Sequence, residues 1–248
     1  MKDSVTTIGV FDGVHIGHQR LLERVRQVST EYGYNSKAYV ISYPFEYFRD
    51  DFDGLIMPLT ARIFEISKFV DEVEVLDLLQ IKDLSAEVFF GSYLAKNTSI
   101  LIVGEDFRFG KGASVDVSGL KQMCERSGIR LEIFPEILDS QNRRISSSLI
   151  RTLVQKGDLE QVVELLGRDF SIYGSVDGVN EQTGEIFIDI DDSIVKPEFG
   201  TFKAFERNFG VNGVMRFGDR VTFVCKDLHP APHSTMEVVL FQKKGEGL

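Results

Sequence analysis

Two of the chain's four histidines, His15 and His18, stand three positions apart in the run Gly9-Val10-Phe11-Asp12-Gly13-Val14-His15-Ile16-Gly17-His18. An imidazole, with a reference pKa of about 6.5, donates one N–H when neutral and two when charged, which suits an oxygen gaining negative charge as a bond breaks. The neighbours say where that oxygen would sit. Thr6, Thr7, Ile8, Val10 and Phe11 are β-branched or aromatic and predict a strand, whereas Leu21, Leu22, Val25 and Val28 share one face of a predicted helix. The glycine-bearing turn between them brings the unpaired first amides of that helix, and the positive end of its dipole, up to the histidines. A phosphate is the natural guest at such a junction, and Gly17 leaves room for a phosphate or a purine to come close to the backbone.

This run resembles the signature of the HxGH nucleotidyltransferases, and specifically of the bacterial FAD synthetases, which transfer AMP from ATP to FMN. Two later segments are similar to the second and third motifs of that family and occur in the expected order. They are Gly104-Glu105-Asp106-Phe107-Arg108-Phe109-Gly110-Lys111 and Arg144-Ile145-Ser146-Ser147-Ser148-Leu149-Ile150-Arg151. Three ordered matches make coincidence a poor explanation. The resemblance implies His15, His18 and Arg151 as catalytic residues, and Gly9, Phe11, Asp12, Gly13, Gly17, Asp106, Arg144, Ser147 and Ser148 as the ATP site. It also implies Mg²⁺, which bridges phosphate oxygens, keeps several waters and needs only one or two carboxylates. Asp12 and Asp106 are the candidates, and no dedicated metal-ligand set is expected.

The third motif also reads on its own residues. Ser147 and Ser148 fall where a helix should begin, so hydroxyls and free amides are available to phosphate oxygens while Arg151 reaches back from the next turn with its bidentate fork. The second motif invites comparison with a P-loop. That loop has four residues between its glycines and Ser or Thr after the Lys, whereas this chain has Glu105 to Phe109 between Gly104 and Gly110, and Gly112 after Lys111. The P-loop reading is rejected.

A flat flavin ring needs aromatic company, and Tyr43-Pro44-Phe45-Glu46-Tyr47-Phe48 follows the second predicted strand. Tyr43, Pro44 and Phe45 are therefore flavin-site candidates, and the resemblance adds Phe107 and Phe109 from the second motif, with packing the expected role of at least one of that pair. Members of the family carry Pro-His-Pro where this chain has Pro44-Phe45-Glu46, and a buried aromatic cluster is the competing reading.

Composition sets the outer bounds. A chain of 248 residues with 43% hydrophobic content can bury a full core in one large or two modest domains. No long apolar run and no signal-peptide pattern is present, so a cytoplasmic location without membrane attachment is expected. Cys124 and Cys225 lie far apart and form neither a disulfide framework nor a zinc cluster. A net charge of −10 without a basic run speaks against nucleic-acid and acidic-membrane partners and for small-molecule substrates held in a locally positive site.

Along the chain, strands are expected at 38–42, 73–76, 99–103 and 129–134, alternating with helices at 60–70, 85–94, 117–127 and 158–166. That alternation predicts an α/β fold, a Rossmann-like parallel sheet with helices on both faces and ligands beyond the strand carboxyl ends. After residue 166 the texture becomes short strands at 170–176, 185–190, 201–205, 220–224 and 236–241, which predict a small antiparallel β-barrel. The domains are accordingly 1–166, the nucleotidyltransferase part, and 167–248, with a fraying tail at 243–248.

Leu166-Gly167-Arg168 and Ser171-Ile172-Tyr173-Gly174 resemble the entry of a riboflavin-kinase barrel, but its Pro-Thr-Ala-Asn element is absent and Ile186-Phe187-Ile188-Asp189 stands there instead. Glu237 matches the kinase's general base by position. His229 and His233 flank Pro230-Ala231-Pro232 and read as a solvated loop. The barrel is also expected to be short, without the family's usual C-terminal helix. The expected activity is AMP transfer to FMN with weak or absent kinase activity. The alternatives are a bifunctional kinase/adenylyltransferase, a flavin- or nucleotide-binding protein without turnover, and an HxGH enzyme acting on another phosphorylated acceptor.

Overall fold

The computed structural model describes residues 3–226 and 228–241; the expectation for 243–248 falls outside them. The described residues separate into two compact units. One runs to Phe52 and resumes as Leu59–Ile145; the other comprises Asp53–Pro58 and the chain from Ser146 onward.

The first unit is built on five strands: β1 (Ser4–Gly9), β2 (Asn35–Ile41), β3 (Glu72–Leu76), β4 (Thr98–Gly104) and β5 (Arg130–Phe134). They lie in the order β3-β2-β1-β4-β5 with every neighbouring pair parallel, as the alternation predicted. Helices α1 (Ile16–Tyr32), α2 (Leu59–Ser67), α3 (Leu78–Ile81), α4 (Ala86–Phe89) and α5 (Val117–Ser127) flank the sheet. Successive strand residues point to opposite layers, so Ile8, Tyr39, Leu101 and Val103 pack with Leu78, Phe89, Leu120 and Cys124 of α3, α4 and α5. On α1, which lies against β1, β2 and β4, the buried face is Leu21, Leu22, Val25 and Val28. Each of those side chains contributes about 1.5–3 kcal/mol by leaving water.

Chain direction then locates the crevice. β1 leads to its neighbour β2 on one side and β4 to its neighbour β5 on the other, so right-handed crossovers diverge between β1 and β4. Ligands of such sheets sit beyond the carboxyl ends of the two strands at that switch point.

Three elements differ from expectation here, the first being α3, which the sequence reading does not contain. β1 stops at Gly9 because Phe11 takes a left-handed backbone, φ 52°, that ends the ladder. The helix expected over 85–94 is the short α4 followed by a π-helical turn at Phe90–Leu94.

The second unit begins with α6 (Ser147–Gln155) and α7 (Leu159–Leu166), which pack on each other, α7 also touching the barrel strands that follow. Those strands are β6 (Phe170–Asn180), β7 (Glu185–Asp189), β8 (Gly200–Glu206), β9 (Val211–Phe217), β10 (Thr222–Val224) and β11 (Thr235–Phe241). They close in the order β10-β7-β6-β11-β8-β9, and β9 pairs back onto β10 with every ladder antiparallel. Strand β9 is absent from the sequence reading, because Asn212 and Gly213 interrupt its alternation. His229 and His233 are exposed, as expected of a solvated loop. Among the described residues no helix is long and apolar enough to cross a membrane.

Candidate active site

The turn from β1 into α1 is a single 3₁₀ turn, Asp12–Val14, held in an unusual backbone. Phe11, Gly13 and Val14 all have positive φ, at 52°, 76° and 39°. Gly13 accepts that conformation freely, whereas a β-branched residue does so only where its surroundings enforce it. Here the Val14 amide donates to Phe11 O at 3.0 Å, and the Gln19 side-chain amide donates to Val14 O at 2.8 Å. Gly9 is needed for a different reason than nucleotide approach. A Cβ there would lie 3.1 Å from the Phe11 ring, which folds back over the strand end.

His15 is the N-cap of α1. Its Nδ1 accepts the His18 backbone N–H at 3.3 Å, so Nε2 is the ring nitrogen left to donate. The two imidazoles stack, ring centres 3.6 Å apart and 17° from parallel, and the Phe11 ring meets His18 edge-on at 5.2 Å. Gly17 provides the space: a Cβ there would sit 3.2 Å from both Cε1 and Nδ1 of His15. Burial, and then the adjoining His15, Arg62 and Arg144, hold the His18 pKa well below its ordinary value. His18 is therefore a neutral donor rather than an imidazolium. Its Nδ1 is buried without a hydrogen-bond partner, so either tautomer leaves one polar group unsatisfied until a ligand arrives.

The end of β4 supplies the second motif. Gly104 gives way to the Asp106 carboxylate, which a Cβ would crowd at 3.0 Å. Arg144 is paired with Asp106 and, at 2.7 Å, with Glu136. The expected phosphate-binding arginine is thus already matched by two carboxylates. Phe109, a flavin candidate by sequence, is a core residue at 5% exposure that packs against Phe89 and stacks on Phe107. It offers no free face to a ring; Phe107, only partly buried, lies over it. Among the described residues no group of three or more metal-ligating side chains converges. Asp12 is buried at 2% and lies in the field of Arg62, whose charge it favours, so it serves the protein rather than an incoming cation. Asp106, by contrast, is more than half exposed and is paired with Arg144.

Beyond β2, Tyr43 stacks on Tyr47 at 4.2 Å, and Tyr47 meets Phe48 and Phe52 edge-on. Pro44 starts the short turn Phe45–Phe48, whose Phe45 is 53% exposed. The loop therefore combines a self-packed aromatic pair with an open apolar tip.

Sequence reasoning passed over Arg62. This α2 residue is fully buried, and its Nη groups donate to Val10 O at 2.8 Å, Ile41 O at 3.2 Å and Ser42 O at 2.9 Å. A signal was present: Arg62 and Ile66, four apart, share the buried face of a predicted amphipathic helix, where a cation is out of place.

In the second unit, Ser146 caps α6 by accepting the Leu149 amide at 3.3 Å. Ser147 and Ser148 open the helix as expected, Ser148 exposed and Arg151 buried at 9%. Glu237 on β11 accepts the Ser171 hydroxyl at 3.1 Å and is ion-paired to Arg207 at 3.0 Å through the same oxygen.

A parallel sheet with a stacked histidine pair at its switch point defines the class of HxGH α/β proteins, here followed by a six-stranded barrel. Comparison with known proteins narrows this. The FAD synthetase family profile matches residues 1–149. A FAD synthetase of Listeria monocytogenes is 31% identical over 221 residues, 82% of each chain. A bifunctional riboflavin kinase/FMN adenylyltransferase of Bacillus subtilis is 29% identical over 239 residues, 90% of this chain and 74% of its own. A solved Streptococcus pneumoniae chain described as a macrolide-efflux protein shares the fold, with TM-score 0.82 over 100% of this chain and 89% of its own at 21% identity. The chain belongs to the FAD synthetase family.

Proposed function

We infer that this chain transfers AMP from ATP to FMN, giving FAD and pyrophosphate. An oxygen of the FMN phosphate attacks the α-phosphorus of ATP. As that O–P bond forms, the bond from the α-phosphorus to the bridging oxygen breaks, and pyrophosphate leaves with the electron pair. Little covalent work falls to the protein in such a transfer; positioning and charge stabilisation carry the acceleration. The observation that carries this reading is the stacked His15–His18 pair at the start of α1, in which His18 is held neutral and the Nδ1 of His15 accepts the His18 amide, leaving its Nε2 to donate. Neutral donors stabilise developing negative charge without first neutralising the bound triphosphate.

The remaining roles follow as parts of the same proposal. Arg144 exchanges its carboxylate partners for phosphate oxygens, and Ser147, Ser148 and Arg151 act on the phosphates as their family motif implies. Mg²⁺, bound to the phosphates with Asp106 as its protein carboxylate, would supply charge neutralisation. Tyr43, Pro44, Phe45 and Phe107 form the flavin side. The barrel has weak or absent kinase activity, because the Pro-Thr-Ala-Asn element is missing and one oxygen of Glu237 is engaged by Ser171 and Arg207.

The test is an assay with ATP labelled at the α-phosphate, Mg²⁺ and FMN. Label is expected in FAD with one pyrophosphate per FAD, while riboflavin in place of FMN yields neither FMN nor FAD. No labelled FAD from FMN would remove the adenylyl-transfer reading; FMN formed from riboflavin would show that the barrel is a kinase after all.

A further inference from the structure

We propose that Arg62 is a positioning residue that fixes the spacing between the two substrate loops by bonding, through one guanidinium, the carbonyls that lead into each. The inference rests on the adenylyl-transfer reading above. Val10 O is the last carbonyl before the Phe11–Val14 turn that carries His15; Ile41 O and Ser42 O are the last before Tyr43 and the aromatic loop. One side chain thus ties the triphosphate-side turn to the flavin-side loop.

The cost of burying a cation argues that the link has a purpose. A guanidinium with no exposed surface gives up its hydration, and an apolar side chain beside Ile66 would cover the sheet more cheaply. What an apolar residue cannot do is span two strand ends. Arg62 does so with the planar fork peculiar to arginine, Nη1 reaching Val10 and Ile41 and Nη2 reaching Ser42. Its Nε has no partner, so the head is oriented by those carbonyls and by the field of Asp12, which belongs to the same turn.

In a two-substrate displacement the distance between nucleophile and phosphorus governs the rate, and a misplacement of about 1 Å costs on the order of 100-fold. Arg62→Lys keeps the charge but loses the fork; Arg62→Gln loses both. Purified folded variants should bind ATP and FMN separately within about threefold of wild type while kcat falls about 30- to 100-fold in each. A residue that only supports the fold would lower the melting temperature and leave kcat of the folded protein unchanged, and that outcome overturns the proposal.

Should neither variant fold, the wild-type protein still decides. In an arginine side-chain ¹⁵N–¹H spectrum, the Arg62 signals should move when a non-hydrolysable ATP analogue is added alone and again when FMN is added alone. Response to only one ligand, or to neither, refutes the link. Failure of wild type to make FAD would instead remove the underlying reaction, so the two failures are distinguishable.

Discussion

His18→Ala lowers kcat for FAD formation by about 10²- to 10³-fold, the usual consequence of deleting one donor aimed at developing charge on oxygen. The fold should hardly notice. His18 is half-buried in the first turn of α1, and the helix keeps its apolar face of Leu21, Leu22, Val25 and Val28. Its backbone N–H still donates to His15, so the cap survives the change. Stopped-quench measurement of labelled FAD separates this loss of chemistry from any loss of ATP affinity.

The same residue carries a pH signature. His18 stays neutral in the fold because of burial and the adjoining His15, Arg62 and Arg144, whereas an unfolded chain protonates it near pH 6.5. Between that value and the depressed native one, the unfolded state binds more protons, so stability rises with pH across the window. The contribution is present in full above pH 6.5 and is lost as the pH falls toward the native pKa. Melting temperatures of wild type should decline below about pH 6.5, and His18→Ala should remove part of that decline.

Gly213→Val destabilises the barrel by at least about 3 kcal/mol, the upper end of what forced overpacking costs. A Cβ at residue 213 would stand 2.4 Å from Cζ of Phe223 and 2.8 Å from Val224 O, one a fully buried ring and the other backbone. Neither can yield without opening the β9–β10 ladder that closes the barrel, where Phe223 faces Met215 and Val224 faces Val214. For a chain of this size such a loss lowers the melting temperature by about 6–12 °C. A shift under two degrees by calorimetry would show that Phe223 can move aside.

That glycine also explains a gap between sequence and fold. Val211–Phe217 is as long as any barrel strand but β6, yet Asn212-Gly213 breaks the alternation that marks a strand, and the reason for the glycine lies on β10. Local patterning cannot see a partner ring across a ladder. Where the cause is local, the sequence is legible: α5 matches expectation because Asp116 caps its start, accepting the Gly119 amide, and Gly128 ends it at φ 68°.

The histidine motif was legible for the same reason, since spacing and turn chemistry place both rings at one helix start. What spacing could not give was their stacking, the left-handed Phe11 that shortens β1, or the burial that keeps His18 uncharged. Arg62 betrays itself only as a cation on an apolar helix face; its acceptors are backbone carbonyls far away in sequence, at the ends of β1 and β2, and residue type does not reveal them. Phe109 misled because an aromatic beside a motif reads alike whether it faces a ligand or the core.

The histidines act as hydrogen-bond donors to a direct displacement, never as nucleophiles, and the chirality of the transferred phosphorus reads this out. FAD made from one diastereomer of ATP sulfur-substituted at the α-phosphate, with FMN as acceptor, should have inverted configuration, as a single in-line step requires. Retention would mean two successive displacements through an adenylylated side chain, and would contradict charge stabilisation by the His15–His18 pair in a direct transfer.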